Sequence, residues 1–333
     1  MPHNLGFIEN RLPFNEKHFL IIKTSVKSPP NFSSYLFIRT VMQRTIPPFL
    51  IAVICVLLAM VTIQSGASVA KQLFPLIGPE GTTALRLGFS AAILCLVFKP
   101  WRAFPPIGQR MPIIIYGLSL GGMNILFYYA IERIPLGIGV ALEFTGPLAV
   151  ALLSSRKKRD LFWVACAIAG IVLLLPDMKG EESLDPVGVI LALAAGACWA
   201  FYILFGKKTG NQGSGGMTVA LGMSIAAIVL VPYGAASQGM ALLSWDVLPL
   251  GILVAIMSSA LPYTLEMVAL RNMPAQGFSI MMSLEPAVAA LAGFIILAEF
   301  LSVWQWLAIL LVITASVGSS MSTSKQTKVE SNA

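Results

Sequence analysis

Histidine, cysteine and charge are all scarce in this 333-residue chain, and each scarcity removes a class of function. The two histidines, His3 and His18, precede every apolar run, so the apolar region holds no imidazole for metal binding or acid–base catalysis. Asp160, Asp177, Asp185 and Asp246 fall at the ends of apolar runs, which leaves no aspartate pair for hydrolysis within a membrane. Cys55, Cys95, Cys166 and Cys198 lie inside apolar runs without metal-ligand spacing. They read as small packing residues, not as a disulfide framework. No G-x-x-x-x-G-K-[ST] string occurs, so no nucleotide-phosphate loop is present. Neither a cofactor nor a metal is expected.

Charged residues make up only 11% of the chain, hydrophobic residues 57%, and the mean hydropathy is +0.82. A soluble chain cannot hide that much apolar surface, which points to an integral membrane protein in a lipid bilayer. The net charge of +7 is explained by where the cations fall and is no sign of nucleic-acid binding.

A membrane-spanning helix needs roughly 20 apolar residues, fewer where the bilayer is thin. Runs at about 47–69, 80–98, 111–131, 136–154, 161–176, 186–206, 217–236, 247–270, 276–297 and 303–321 meet that need, the fifth being the shortest. The expected class is therefore all-α, with ten transmembrane helices. Cytoplasmic loops retain lysine and arginine. With the N-terminus inside, 18 of the 22 lysines and arginines fall on the cytoplasmic side and three on the other, and Arg86 lies within a span. Both termini are accordingly expected in the cytoplasm.

Residues 1–46 are basic and contain neither a signal peptide nor a span, and two readings of them stay open. One is a cytoplasmic extension lying on the anionic leaflet, and the other is a chain whose translation starts at Met42.

Pro135 and Pro147 lie 12 residues apart, and Pro274 and Pro286 repeat that spacing 139 residues later. Asn124 and Tyr263 align on the same register. The chain then divides into the extension 1–46, a five-helix repeat over 47–176, a second over 186–321 and a cytoplasmic tail 322–333. Five is an odd number, so the second repeat enters the membrane inverted. Inverted repeats are a transporter design, since two similar halves can exchange roles around a central site.

Ionisable groups within a membrane usually face a cavity or a partner. Arg86 and Glu143 both sit roughly 9–10 Å below the external surface, by about 1.5 Å of rise per residue. They are expected to form a pair and to bind a zwitterion, Arg86 taking a carboxylate and Glu143 an ammonium group or a proton. Glu285 lies deeper, roughly 13–14 Å from the cytoplasmic side. Pro147 and Pro286 each lack an N–H, freeing the carbonyls of Glu143 and Met282, which suits a cation site, a hinge or a packing kink. Glu266 is expected nearer the cytoplasmic end, reaching towards Arg271. Asn124 and Tyr263 are candidates for hydrogen bonds to cargo. Gly117-xxx-Gly121 and Gly66-xxx-Ala70 favour close helix contact, and Trp163, Trp304 and Trp306 fit interfacial anchoring.

The strings Ser119-Leu-Gly-Gly-Met-Asn124, Val140-Ala-Leu-Glu-Phe-Thr-Gly-Pro-Leu-Ala-Val-Ala151 and Gly196-Ala-Cys-Trp-Ala-Phe-Tyr202 resemble the bacterial threonine and homoserine exporters. So do Ser259-Ala-Leu-Pro-Tyr-Thr-Leu-Glu-Met267 and Met282-Ser-Leu-Glu-Pro-Ala287. That group belongs to the drug/metabolite transporter superfamily with two EamA-type repeats, and the resemblance runs from about residue 50 to 322. It implies a ten-helix carrier in the bacterial inner membrane exporting threonine, homoserine and analogues against protons. It fixes no binding residue, so the candidates above rest on depth and charge. An intramembrane carboxylate able to take up and release a proton, Glu143 or Glu285, would carry the coupling. Two alternatives remain: the same architecture serving other metabolites or cationic drugs, and, from another class, an intramembrane enzyme. Small-residue faces permit a dimer, and a monomer fits equally.

Overall fold

The computed structural model describes residues 47–102, 106–153, 160–174, 184–210 and 215–330. Expectations for the extension 1–46 and for a start at Met42 fall outside these residues. Among the described residues every regular element is helical.

Helix α1 (Pro48–Phe98) covers the first two predicted spans. It runs on through residues 70–77, where a loop was expected, and bends at Gly78 (φ 62°, ψ 170°). That left-handed backbone suits glycine, and Pro79 follows it directly. Helix α2 (Ile107–Arg133) ends at an extended Ile134, and Pro135 caps α3 (Leu136–Glu143). After Phe144 comes α4 (Thr145–Leu153), then α5 (Asp160–Leu174), α6 (Pro186–Gly210) and α7 (Gly215–Gln238). Helix α8 (Leu248–Ala255) passes through a π-helical turn, Ile256–Ala260, into α9 (Leu261–Asn272). Helices α10 (Ala275–Met282), α11 (Glu285–Leu297) and α12 (Val303–Glu330) complete the chain.

Six of these helical stretches are long and apolar enough to cross a membrane, and three shorter apolar helices accompany them. Leu96, Ile228 and Ile295 are each more than two-thirds exposed, so this surface is built to be covered by lipid. The chain is a multi-pass membrane protein.

Two stretches follow the same course 139 residues apart. α3 and α10 are each eight residues long, each follows an extended residue and a proline, and each ends in a break. The predicted fourth and ninth spans are therefore not continuous helices. The breaks lie just before Pro147 and Pro286, whose missing N–H groups weaken the ladder there.

The most extensive helix pairs join a helix before residue 176 to one after 186: α2 with α6, α1 with α7, and α5 with α12. Small residues make this possible. A side chain at Gly117 would meet Ile225 on α7, and one at Gly146 would run into the backbone of Gly196 on α6. At one end of the bundle, Arg133 Nη1 donates to Asp185 Oδ2 at 3.1 Å, which holds the Asp185 carboxyl below its ordinary range.

Candidate functional site

A cavity of about 350 Å³ lies between the two groups of helices, large enough for a small metabolite. Segments of α1, α2, α3, α4, α6, α9, α10 and α11 line it, together with the π-helical turn. All six polar candidates from the sequence, Arg86, Asn124, Glu143, Tyr263, Glu266 and Glu285, are among its walls. Pro147 lines it as well, while Pro286 is buried just beyond, at the start of α11.

Ile203, Glu266 and Phe278 carry the cavity lining towards the Gly210, Asn272 and Ala275 ends of α6, α9 and α10. In the other direction the lining reaches Ala67, Phe127 and Val140. Beyond them Lys71 Nζ donates to Glu299 Oε1 at 2.6 Å and to the carbonyl of Ile134 at 3.1 Å. The Leu136 N–H donates to Glu299 Oε2 at 2.7 Å, so both carboxylate oxygens are held. A left-handed Ala298 (φ 53°) closes α11 and places Glu299 there. Nearby, on the same side, Glu80 accepts hydrogen bonds from Ser237 Oγ (2.8 Å), Gln238 Nε2 (2.7 Å) and Tyr129 Oη (3.3 Å).

Arg86 and Glu143 share the cavity, but the expected direct pair does not form. Neither of the two ion pairs among the described residues includes them. Arg86 Nη1 donates to Tyr128 Oη at 3.0 Å, and Nη2 to the Ser258 carbonyl at 3.4 Å. The second bond has a local cause. Residue 262 is proline, so the Ser258 carbonyl lacks the N–H it would meet in a regular α-helix. The π-helical turn at this point leaves the carbonyl to the guanidinium.

Glu285 is buried (6% exposed), and its Oε1 accepts from Gln64 Nε2 at 3.0 Å. Its Oε2, Gln64 Oε1, Arg86 Nε and Ser258 Oγ are buried without a protein partner. Glu143 is 7% exposed. The Glu143 carbonyl packs against Gly196, where a side chain would come within 2.7 Å of it. Asn124 turns its Nδ2 back to the Leu120 carbonyl at 2.8 Å, so part of its hydrogen-bonding capacity serves its own helix. Glu266 lines the cavity, and the side chain of Arg271, towards which it was expected to reach, lies outside the described residues.

Gln64, Tyr128 and Ser258 belong to this site and were missed by a reading based on charge. A buried neutral amide in the first span was the available signal for Gln64, and Pro262 was the signal for Ser258. Lys71 and Glu299 were missed because both lie at span ends, where charge is ordinary.

The model of the EamA-like transporter family matches residues 186–321. The threonine/homoserine exporter RhtA of Escherichia coli (strain K12) is 51% identical over 283 residues, covering 85% of this chain and 96% of that protein. The uncharacterized transporter YwfM of Bacillus subtilis (strain 168) is 28% identical over 272 residues, covering 76% and 90% respectively. A protein known from its crystal structure superposes with a TM-score of 0.54 at 16% identity, over 83% of this chain and 98% of the other, and so shares the fold. The identity to the Escherichia coli exporter over nearly its whole length, together with the family match, shows that the chain belongs to the EamA-like transporter family.

Proposed function

We propose that this protein exports threonine, homoserine and related small amino acids across the bacterial inner membrane, in exchange for protons. The observation that carries this reading is the cavity: one guanidinium, Arg86, and the carboxyl groups of Glu143, Glu266 and Glu285 face a space of metabolite size. A zwitterion offers the complementary charges. The 51% identity to an exporter of that name, over nearly its whole length, supports the cargo.

In this reading ten helices form two inverted repeats, 47–176 and 186–321, with both termini in the cytoplasm. The matching courses of α3 and α10 support the duplication, and the distribution of lysine and arginine supports the orientation. Their breaks, next to Glu143 and Glu285, bring discontinuous helices to the site, a recurrent transporter arrangement. Arg86 receives the cargo carboxylate. Glu143 carries the proton in exchange.

Export of threonine and homoserine from cells loaded with a feeding peptide tests the cargo. Wild-type protein should export both, and Glu143→Gln, present in the membrane in equal amount, should lose export driven by a pH gradient. A Glu143→Gln protein that still exports against a gradient would remove Glu143 from the coupling. Wild-type export no greater than that of an empty vector would point to different cargo.

A further inference from the structure

The amide of Gln64 and the carboxyl group of Glu285 present a specific pattern to the cavity. Gln64 is 2% exposed and Glu285 6%, and they come from the first and ninth predicted spans. Gln64 uses its Nε2 to donate to Glu285 Oε1 at 3.0 Å. What remains is Gln64 Oε1 and Glu285 Oε2, both buried and both without a donor. A buried acceptor without a donor is costly, and two on bonded neighbours lining one cavity present a surface of defined chemistry to it.

A group that satisfies both must supply at least two hydrogens and favour a carboxylate. A single hydroxyl supplies one hydrogen and no charge. A primary ammonium supplies three hydrogens and a positive charge. Arg86 Nε and the Ser258 hydroxyl, also unpartnered in this cavity, belong to other side chains, and Arg86 is already bound to Tyr128 and the Ser258 carbonyl. Glu143 makes no such pair with Gln64.

We infer that Gln64 and Glu285 together form the seat for the cargo ammonium group, with Gln64 selecting primary amines over alkylated ones. This rests on the reading that the cavity carries amino acids. It assigns the ammonium to Glu285 and leaves Glu143 for the proton. Gln64 acts by contributing one acceptor and by fixing Glu285 so that its second oxygen faces the cargo.

Uptake of radiolabelled threonine into inside-out membrane vesicles carrying the full chain tests this, with N,N-dimethylthreonine as competitor. For wild type, the dimethyl compound should compete about tenfold more weakly than unlabelled threonine, since it retains one N–H in place of three. Gln64→Met, of similar size, should raise the half-saturating threonine concentration about tenfold and narrow that preference. A preference caused by methyl bulk alone would survive in Gln64→Met and overturn the inference. So would wild-type protein that accepts both competitors equally, a result that requires no variant to fold. Wild-type vesicles that take up neither threonine nor homoserine would overturn the cargo reading, and this inference with it.

Discussion

Lys71 Nζ lies 2.6 Å from Glu299 Oε1, and each partner also holds a backbone group of the turn between α2 and α3. The Ile134 carbonyl accepts from the lysine, and the Leu136 N–H donates to the glutamate. One ion pair thus ties α1, the α2–α3 turn and the end of α11 together, beyond the Ala67 end of the cavity. Both side chains are largely shielded, at 21% and 14% exposure, so removing one partner costs more than it would at a surface bridge.

The backbone contacts make the pair directional. Glu299→Ala strands the Leu136 N–H and leaves a lysine with a carbonyl alone, which should cost about 1–3 kcal/mol. The exchange Lys71→Glu with Glu299→Lys restores opposite charges but sets an acceptor against the Ile134 carbonyl and a donor against the Leu136 N–H. Thermal unfolding of the purified protein should therefore show both single variants and the exchange below wild type. An exchange variant with the wild-type Tm would mean that charge alone holds this junction.

Gly146 and Gly196 set the depth at which α6 crosses the break between α3 and α4. A methyl group at Gly146 would collide with the carbonyl of Gly196, and one at Gly196 would come within 2.7 Å of the Glu143 carbonyl. Backbone cannot swing aside as a side chain can, so alanine at either position should cost about 1–3 kcal/mol or more. Transport should fall as well, because α6 supports the break that positions Glu143. Gly277→Ala faces open space and should be neutral or slightly stabilising by helix propensity. Equal Tm values for the Gly146→Ala and Gly277→Ala proteins would contradict this account.

The features legible in the sequence were those with long-range periodicity or high cost. Apolar runs of span length, and an arginine and carboxylates within them, located both the helices and the walls of the cavity. The proline spacing anticipated the equivalent breaks at Glu143 and Met282. What escaped depended on which neighbour a group meets across the bundle. Arg86 turns to Tyr128 and Ser258 because Tyr128 stands on α2 with its ring 5.3 Å from the guanidinium carbon, a placement that no spacing within α1 encodes. Likewise Lys71 and Glu299 are 228 residues apart, and only the packed structure makes them partners.

Arginine at position 86 should not be replaceable by lysine. Its guanidinium bonds Tyr128 and the Ser258 carbonyl at once and still has Nε left over. An ammonium keeps the charge but cannot reproduce that planar fork. Arg86→Lys should lower threonine uptake into inside-out vesicles by about tenfold or more, while Tyr128→Phe, which removes one of the two anchors, should have a smaller effect. Uptake by the Arg86→Lys protein at the wild-type rate would show that charge alone suffices at this pole.

In the proposed orientation, wall positions at the two ends of the cavity approach opposite faces of the membrane. Ile203 lies on the flank that extends towards the Gly210 end of α6, and Ala67, 3% exposed, lies just below the Lys71–Glu299 junction. In a background lacking the four native cysteines, Ile203→Cys should react with an impermeant thiol reagent applied to the cytoplasmic face. Ala67→Cys should resist the same reagent applied outside. If the junction seals the end of the cavity next to it, which the proposed orientation makes external, adding Glu299→Ala should make Ala67→Cys reactive from outside, because opening then no longer has to break the ion pair and its two backbone bonds. Labelling of Ala67→Cys that stays slow after the junction is removed would move the seal to the Glu80 cluster, where Ser237, Gln238 and Tyr129 converge on one carboxylate. Glu80→Gln would then be the variant that opens it.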